Sequence, residues 1–169
     1  MFMPAATLMS FRVLLVAFCW LAVMPSSARA DGAEVATALR GMKGGWSLIA
    51  DGKKLPTKMT YDQASKGGAI TEMFGRELSV FSRDGSRLIM THYCNSGSVP
   101  RLALADSSTA TRWQFDLIDV ANLPDPNALH VYQVIYQVIS PKVIELDIVW
   151  HHAKTGDGEA HEKYVMKKR

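Results

Sequence analysis

The sequence has only two cysteines, and their positions exclude an intramolecular disulfide. Cys19 lies in an N-terminal segment that we expect to be removed, which leaves Cys94 alone in the mature chain. A single thiol is unusual in an oxidising compartment, where disulfides stabilise many small domains. Cys94 is therefore predicted to be either a buried residue that packs as a small hydrophobe or a reactive group.

A large excess of basic residues is also missing. The chain has 19 Lys and Arg residues against 16 Asp and Glu residues. Arg12 and Arg29 belong to the N-terminal segment, so the mature chain keeps 17 basic and 16 acidic residues. Because nucleic-acid binding needs a clustered basic surface, the sequence predicts no nucleic-acid partner.

No apolar run has the roughly 20 residues that a membrane-spanning helix needs. Val13 to Met24 is a shorter run, preceded by Arg12 and followed by Pro25 and small residues up to Ala30. This order predicts a signal peptide over residues 1–30, with cleavage near Ala30. Its removal leaves 139 of the 169 residues, the size of one domain. We expect a periplasmic or secreted protein without a membrane span.

A helical pattern precedes a long stretch of strand pattern. Residues 31–43 show helical spacing of apolar residues, and Asp31 suits the cap position. Residues 44–169 alternate with period two, and turn residues recur at regular spacing. The expected fold is all-β, an antiparallel up-and-down barrel of about ten strands with a short N-terminal helix. The predicted strands are 46–50, 58–63, 69–74, 77–83, 87–94, 101–105, 109–118, 130–139, 143–152 and 161–168. The stretch 120–129, with two prolines, and residues 156–158 are predicted to be a loop and a turn.

Alternation assigns an inward face to the longer strands. Trp113, Phe115 and Leu117 share one face, and so do Ile144, Leu146, Ile148 and Trp150. The strand 130–139 is different, because its assigned inward face carries polar heads: His130, Tyr132, Val134, Tyr136 and Val138. Hydrogen-bonding groups on an inward face are more typical of a cavity lining than of a solid core.

His92 and Cys94 lie two residues apart, so they share a strand face. Imidazole and thiolate are ligands for zinc, copper and haem iron. Their spacing of about 6.5–7 Å is too long for a nucleophile–base pair. No catalytic residues are therefore predicted, and the sequence favours a binding protein over an enzyme.

Three further histidines lie near the last hairpin, at positions 151, 152 and 161. His151 and His152 are adjacent on a strand and face opposite sides, so they do not easily share one ion. His151 and His161 can approach each other across the hairpin, but two histidines without a third ligand are a weak zinc pattern. A solvated hairpin end is the favoured interpretation.

Two segments resemble known barrels. Gly44-Gly45-Trp46 follows the short helix and is similar to the Gly-x-Trp motif of lipocalins and other calycins. In that group the Trp closes one barrel end beneath a basic residue of the last strand, a role that the resemblance implies for Lys167 or Arg169. Residues 90–94, Met-Thr-His-Tyr-Cys, resemble a segment of uncharacterised exported bacterial lipocalin-like proteins.

The second resemblance extends over Gly97 and Pro100-Arg101, the His130-x-Tyr132 strand and the Trp150 strand, and spans residues 44–169. It implies a ten-stranded antiparallel barrel but carries no agreed activity. The chain departs from the family at residues 95–99, Asn-Ser-Gly-Ser-Val, where relatives more often have Asn and Gln.

The leading hypothesis is an exported barrel that binds a small apolar or amphipathic molecule. The apolar body is predicted to contact aromatic and apolar side chains, and the polar head to contact His92, His130 and Arg101. The full set of predicted ligand-binding residues is Trp46, Met90, His92, Cys94, Arg101, Trp113, Phe115, His130, Tyr132, Tyr136 and Trp150. One alternative is a haem- or metal-binding barrel that uses His92 and His130. Another is an envelope interaction module with an outer apolar strip of Val131, Ile135 and Ile139, unless the N-terminal helix covers that strip.

Overall fold

The alternating strands form a closed antiparallel barrel, as predicted. The structure is a computed structural model that describes residues 29–123, 125, 127–152 and 160–169. Its elements are α1 Gly32–Gly41, β1 Gly44–Ala50, β2 Lys53–Ala64, a 3-10 turn Ser65–Gly67, β3 Ala69–Phe74, β4 Glu77–Asp84, β5 Arg87–Tyr93, β6 Val99–Leu104, β7 Arg112–Ala121, β8 Leu129–Ser140, β9 Val143–His152 and β10 Ala160–Lys168. Each strand pairs with its neighbours in the chain, and β1 also pairs with β10. Closure leaves the barrel without a free edge.

Parts of three predictions lie outside the described residues. They are the signal peptide up to residue 28, the prolines at 124 and 126, and the turn at 156–158. Ala30 is buried, and its N–H donates to the carbonyl of Ser108 at 2.9 Å. In the part of the chain that the structure describes, no helix is long and apolar enough to span a bilayer.

Helix α1 covers one end of the barrel, which we call the helix end. Asp31 caps it by accepting hydrogen bonds from the N–H groups of Ala33 and Glu34, both at 2.8 Å. Its apolar face, with Val35 and Leu39, is buried in the same cluster as the barrel interior. The opposite end, where β3 meets β4 and β5 leads into β6, is the far end.

The inward positions pack as one core. Trp46, Tyr136, Phe81 and Phe115 are among its largest fully buried side chains, and Phe81, Phe115 and Tyr136 stack edge to face. Such aromatic pairs add about 0.5–1.5 kcal/mol each to the apolar burial. The middle of the barrel is therefore filled by side chains.

The basic residue that packs on Trp46 is Lys168, so the expectation of Lys167 or Arg169 is wrong. Trp46 lies opposite Lys168 in the β1–β10 pairing. The Lys168 ammonium lies 5.7 Å from the indole centroid and donates to the carbonyl of Gly41 at 2.9 Å. Alternation turns Lys167 to the outside, where it is exposed.

A β-bulge in β8 makes the predicted inward face of this strand wrong for its first residues. The pairing with β9 shifts between Val131 and Gln133, so one extra residue lies in β8. Val131 is buried, and Tyr132 is 41% exposed. The expectation that Tyr132 lines the interior and that Val131 belongs to an outer apolar strip is therefore wrong. The helix does not cover the remaining strip residues, because α1 packs against β2, β3, β4 and β5.

Candidate functional site

A buried carboxylate lies inside the barrel, on β3. Glu72 is only 4% exposed. Its Oε2 accepts hydrogen bonds from the hydroxyls of Tyr61 and Tyr136, the second at 2.7 Å. Its Oε1 accepts from the Ser79 hydroxyl at 3.0 Å. Three donors satisfy the charged group, which is the condition under which a buried carboxylate is tolerated.

Strand register explains why these groups meet. Tyr61 pairs with Glu72, Glu72 pairs with Ser79, and Ser79 pairs with His92. The four residues therefore form one row across β2, β3, β4 and β5, and all point inward. Directly opposite side chains have Cβ atoms about 4.5–5.5 Å apart, which is close enough for hydroxyl, carboxylate and imidazole groups to bond in sequence.

The direction of these hydrogen bonds assigns the tautomer of His92. The Ser79 hydroxyl donates its proton to Glu72, so its oxygen accepts from His92 Nδ1, which lies 3.0 Å away. Nδ1 therefore carries the proton and Nε2 carries a lone pair. Burial lowers the pKa of His92, and the negative charge of Glu72 opposes this shift. The neutral imidazole points Nε2 towards the far end.

Nε2 of His92 faces a second carboxylate and the single thiol. Glu77 Oε2 lies 3.8 Å from it, while Glu77 Oε1 accepts from the N–H of Asn95 at 3.2 Å. The ligand atoms of Glu77, His92 and Cys94 all lie within 4.8 Å of one another. Burial raises the pKa of Cys94, and hydrogen bonding to Ser98 opposes the shift. A carboxylate, an imidazole and a thiol thus converge at one point.

A small cavity lies beside this cluster. The space open to the centre of a water molecule is about 10 Å³. This is about the smallest volume that holds one water. Its lining residues are Glu72, Phe74, Glu77, Met90, His92, Val131, Val134, Tyr136, Leu146, Ile148 and Trp150. Trp150 is one of these lining residues, and among the described residues its Nε1 is a buried donor without a hydrogen-bond partner.

The predicted ligand-binding residues divide into three groups. Met90, His92, Tyr136 and Trp150 line the cavity, and Cys94 lies beside it in the cluster. Trp46, Trp113 and Phe115 are buried, as predicted, but none of them lines the cavity; Trp46 closes the helix end and Phe115 packs in the aromatic core. The rest, Arg101, His130 and Tyr132, lie elsewhere.

His130 is not brought together with His92. His130 pairs with His151 on β9. The next residue, Val131, has a side chain that lines the cavity. Because side chains alternate, His130 lies on the other face of the strand. It is buried there, with Nδ1 2.9 Å from the carbonyl of Ala128. The prediction that both histidines line the interior is wrong because the bulge follows His130 and reverses the faces beyond it.

Arg101 does not orient a ligand inside the barrel. Its guanidinium is exposed and makes a two-point contact with Asp119, at 2.9 and 2.6 Å. This fork geometry occupies the donors that were expected to bind a ligand carboxylate. Arg101 therefore lies on the outer surface of the barrel.

His151 and His161 each contact a different neighbour among the described residues. His161 Nδ1 lies 2.9 Å from Asp147 Oδ1 on the outer surface. The ring of His151 lies 5.1 Å from that of Tyr132. The two imidazoles are thus engaged with different neighbours.

Sequence reasoning predicted no role for Glu72, Glu77 or Ser79. The pattern that identifies such residues is a polar residue at an inward position of a strand whose other inward positions are apolar. Glu72 lies between Ile70 and Phe74, and Ser79 lies two residues before Phe81. Only the register between strands shows that these interruptions fall in one row.

Comparison with protein-family models and with curated proteins finds no match for the chain. The resemblance to exported lipocalin-like barrels therefore stays a prediction.

Proposed function

We propose that the protein is an exported binding protein that takes a small ligand by its polar head at the far end of the barrel. A closed ten-stranded barrel is a fold that serves ligand binding in general. The export is inferred from residues 1–30 alone.

One observation carries this proposal: the cavity combines a buried donor that lacks a partner among the described residues with an apolar wall. Trp150 Nε1 is a buried donor without an acceptor among the described residues. A buried donor left unpaired costs about 1–3 kcal/mol, and a ligand acceptor recovers that energy. His92 Nε2 and Glu77 Oε2 supply acceptors on the same cavity. The polar head therefore finds one donor and two acceptors.

The size of the cavity restricts the ligand. A volume of about 10 Å³ receives one water-sized group, whereas sites for drug-sized molecules have about 300–1,000 Å³. The apolar body of an amphipathic ligand must therefore lie beyond the cavity. The haem alternative has no support in this geometry, because His92 and His130 lie on opposite faces of the barrel wall.

Native mass spectrometry of protein purified from its own host tests the proposal. We expect a bound small molecule in the wild type and its loss in Trp150→Phe, which keeps an aromatic ring but removes the indole donor. Trp113→Phe is the matched control, because Trp113 is buried but does not line the cavity. A wild type that carries no ligand, or equal occupancy in both variants, contradicts the proposal.

A further inference from the structure

We propose that Glu77, His92 and Cys94 bind one divalent metal ion of the zinc type at the far end of the barrel. The inference rests on the proposed function, because the ion lies at the same site and offers a position to the polar head of the small ligand. One carboxylate oxygen, one imidazole nitrogen and one thiolate sulfur are all ordinary zinc ligands.

The distances fit a site that closes slightly around an ion. Metal–ligand bonds of about 2.0–2.3 Å in a tetrahedron place ligand atoms about 3.3–3.8 Å apart. His92 Nε2 and Glu77 Oε2 are already 3.8 Å apart, and no pair in the cluster exceeds 4.8 Å. Cys94 begins the β5–β6 loop, which turns through Gly97 at a φ of +88°. A small movement of this loop brings the sulfur to bonding distance.

The electrostatics of the cluster favour a bound cation. The lone pair of His92 Nε2 faces the Glu77 carboxylate, and two acceptors at 3.8 Å repel each other. A metal ion placed between them replaces this repulsion by two bonds. When it binds, the Cys94 thiol releases its proton to solvent and the sulfur coordinates as thiolate.

His92 has the hydrogen-bond partners that a metal-bound histidine typically has. His92 donates Nδ1–H to Ser79, and Ser79 donates to Glu72. Outer hydrogen bonds of this kind fix the tautomer and ring orientation of a ligating histidine, and their loss typically costs 10–100-fold in metal affinity. The Asn95 N–H holds Glu77 in a similar way.

The protein supplies three ligands, which leaves one tetrahedral position open. The adjacent cavity has room for about one water, and Trp150 Nε1 on its wall lacks an acceptor among the described residues. A metal-bound water or hydroxide, or the polar head of a ligand, fits that position. This arrangement is typical of metal sites that exchange a ligand rather than of closed structural sites.

Titration of the full mature chain with Co²⁺ under reducing conditions tests the inference. We expect one ion per chain, with the visible bands of tetrahedral Co²⁺ and a sulfur-to-cobalt charge-transfer band. Zn²⁺ should displace the Co²⁺ and abolish both. Cys94→Ser should lose the charge-transfer band, and Ser79→Ala should keep it while binding 10–100-fold more weakly. His161→Gln, in the surface cluster with Asp147, is the control and should bind like the wild type.

X-ray absorption of the wild-type zinc form keeps the test independent of variant folding. One sulfur and otherwise nitrogen or oxygen ligands are expected. Absence of bound metal, a site without sulfur, or a loss of binding in His161→Gln but not in Cys94→Ser overturns the inference. If metal does not bind but the Trp150-dependent small molecule is present, only the metal assignment fails; if both are absent, the proposed function fails as well.

Discussion

Removal of the Tyr136 hydroxyl measures how much its hydrogen bond to the buried Glu72 carboxylate contributes to the stability of the barrel. Tyr136 is fully buried, and its hydroxyl donates to Glu72 at 2.7 Å. Tyr136→Phe keeps the ring that packs against Phe81 and Phe115, so the substitution leaves the apolar burial almost unchanged. A hydrogen bond to a charged group contributes about 1.5–3 kcal/mol, and we expect the free energy of unfolding to fall by this amount.

Urea unfolding of the protein, followed by circular dichroism, measures this loss. Tyr93→Phe is the matched control, because Tyr93 is 47% exposed and surface substitutions usually stay within about 0.5 kcal/mol. The slope of unfolding free energy against urea should be equal in all three proteins. If Tyr136→Phe loses no more stability than Tyr93→Phe, the Glu72 network does not stabilise the barrel and our reasoning is refuted.

Two further predictions concern pH and the helix end. Burial, followed by the charge of Glu72, raises the pKa of Tyr61 and Tyr136 well above 10. Above about pH 10 the unfolded chain releases these protons while the folded barrel keeps them, so stability should fall as pH rises, by up to about 1.4 kcal/mol per pH unit for each tyrosine. Urea unfolding at about pH 9 and pH 11 checks this, and an equal fall in Tyr136→Phe would contradict it. Gly32→Ala should lower stability by about 1–3 kcal/mol, because its Cβ would lie 2.8 Å from the carbonyl oxygen of Ser86. Gly41→Ala, whose Cβ meets nothing within 4 Å, should change stability by less than about 1 kcal/mol. Urea unfolding measures both substitutions, and equal effects of the two would count against the packing of α1.

The barrel was predictable because alternation is a local property. In β9, Ile144, Leu146 and Ile148 face inward and are buried, as their spacing predicts. The strands at 69–74 and 143–152 have the predicted bounds. Predicted β7 began three residues early, because residues 109–111 belong to the connection from β6, where Thr109 makes isolated bridges.

The bulge in β8 was not predictable from the residues of that strand. Val131 and Tyr132 are both good strand residues, and nothing local shows which of them turns inward. The choice depends on pairing: Val131 lies opposite Trp150, and Gln133 lies opposite Val149. One inserted residue therefore reversed the faces of His130 and Tyr132 relative to the rest of the strand.

Only part of the candidate site could be predicted from the sequence. His92 and Cys94 stand out because they are two apart on one strand. Their partners Glu72, Ser79 and Glu77 come from two other strands and depend on register, which no single strand encodes. Such buried polar rows are properties of the assembled sheet.

The protonation of His92 tests the central claim most directly. If Ser79 and Glu72 orient the imidazole, the ring carries its proton on Nδ1 and leaves Nε2 free to face Glu77. Long-range ¹⁵N–¹H correlation spectra of the metal-free protein at neutral pH should show the Nδ1–H tautomer for His92. Ser79→Ala should weaken that preference. An Nε2–H tautomer or an imidazolium in the wild type would contradict the account.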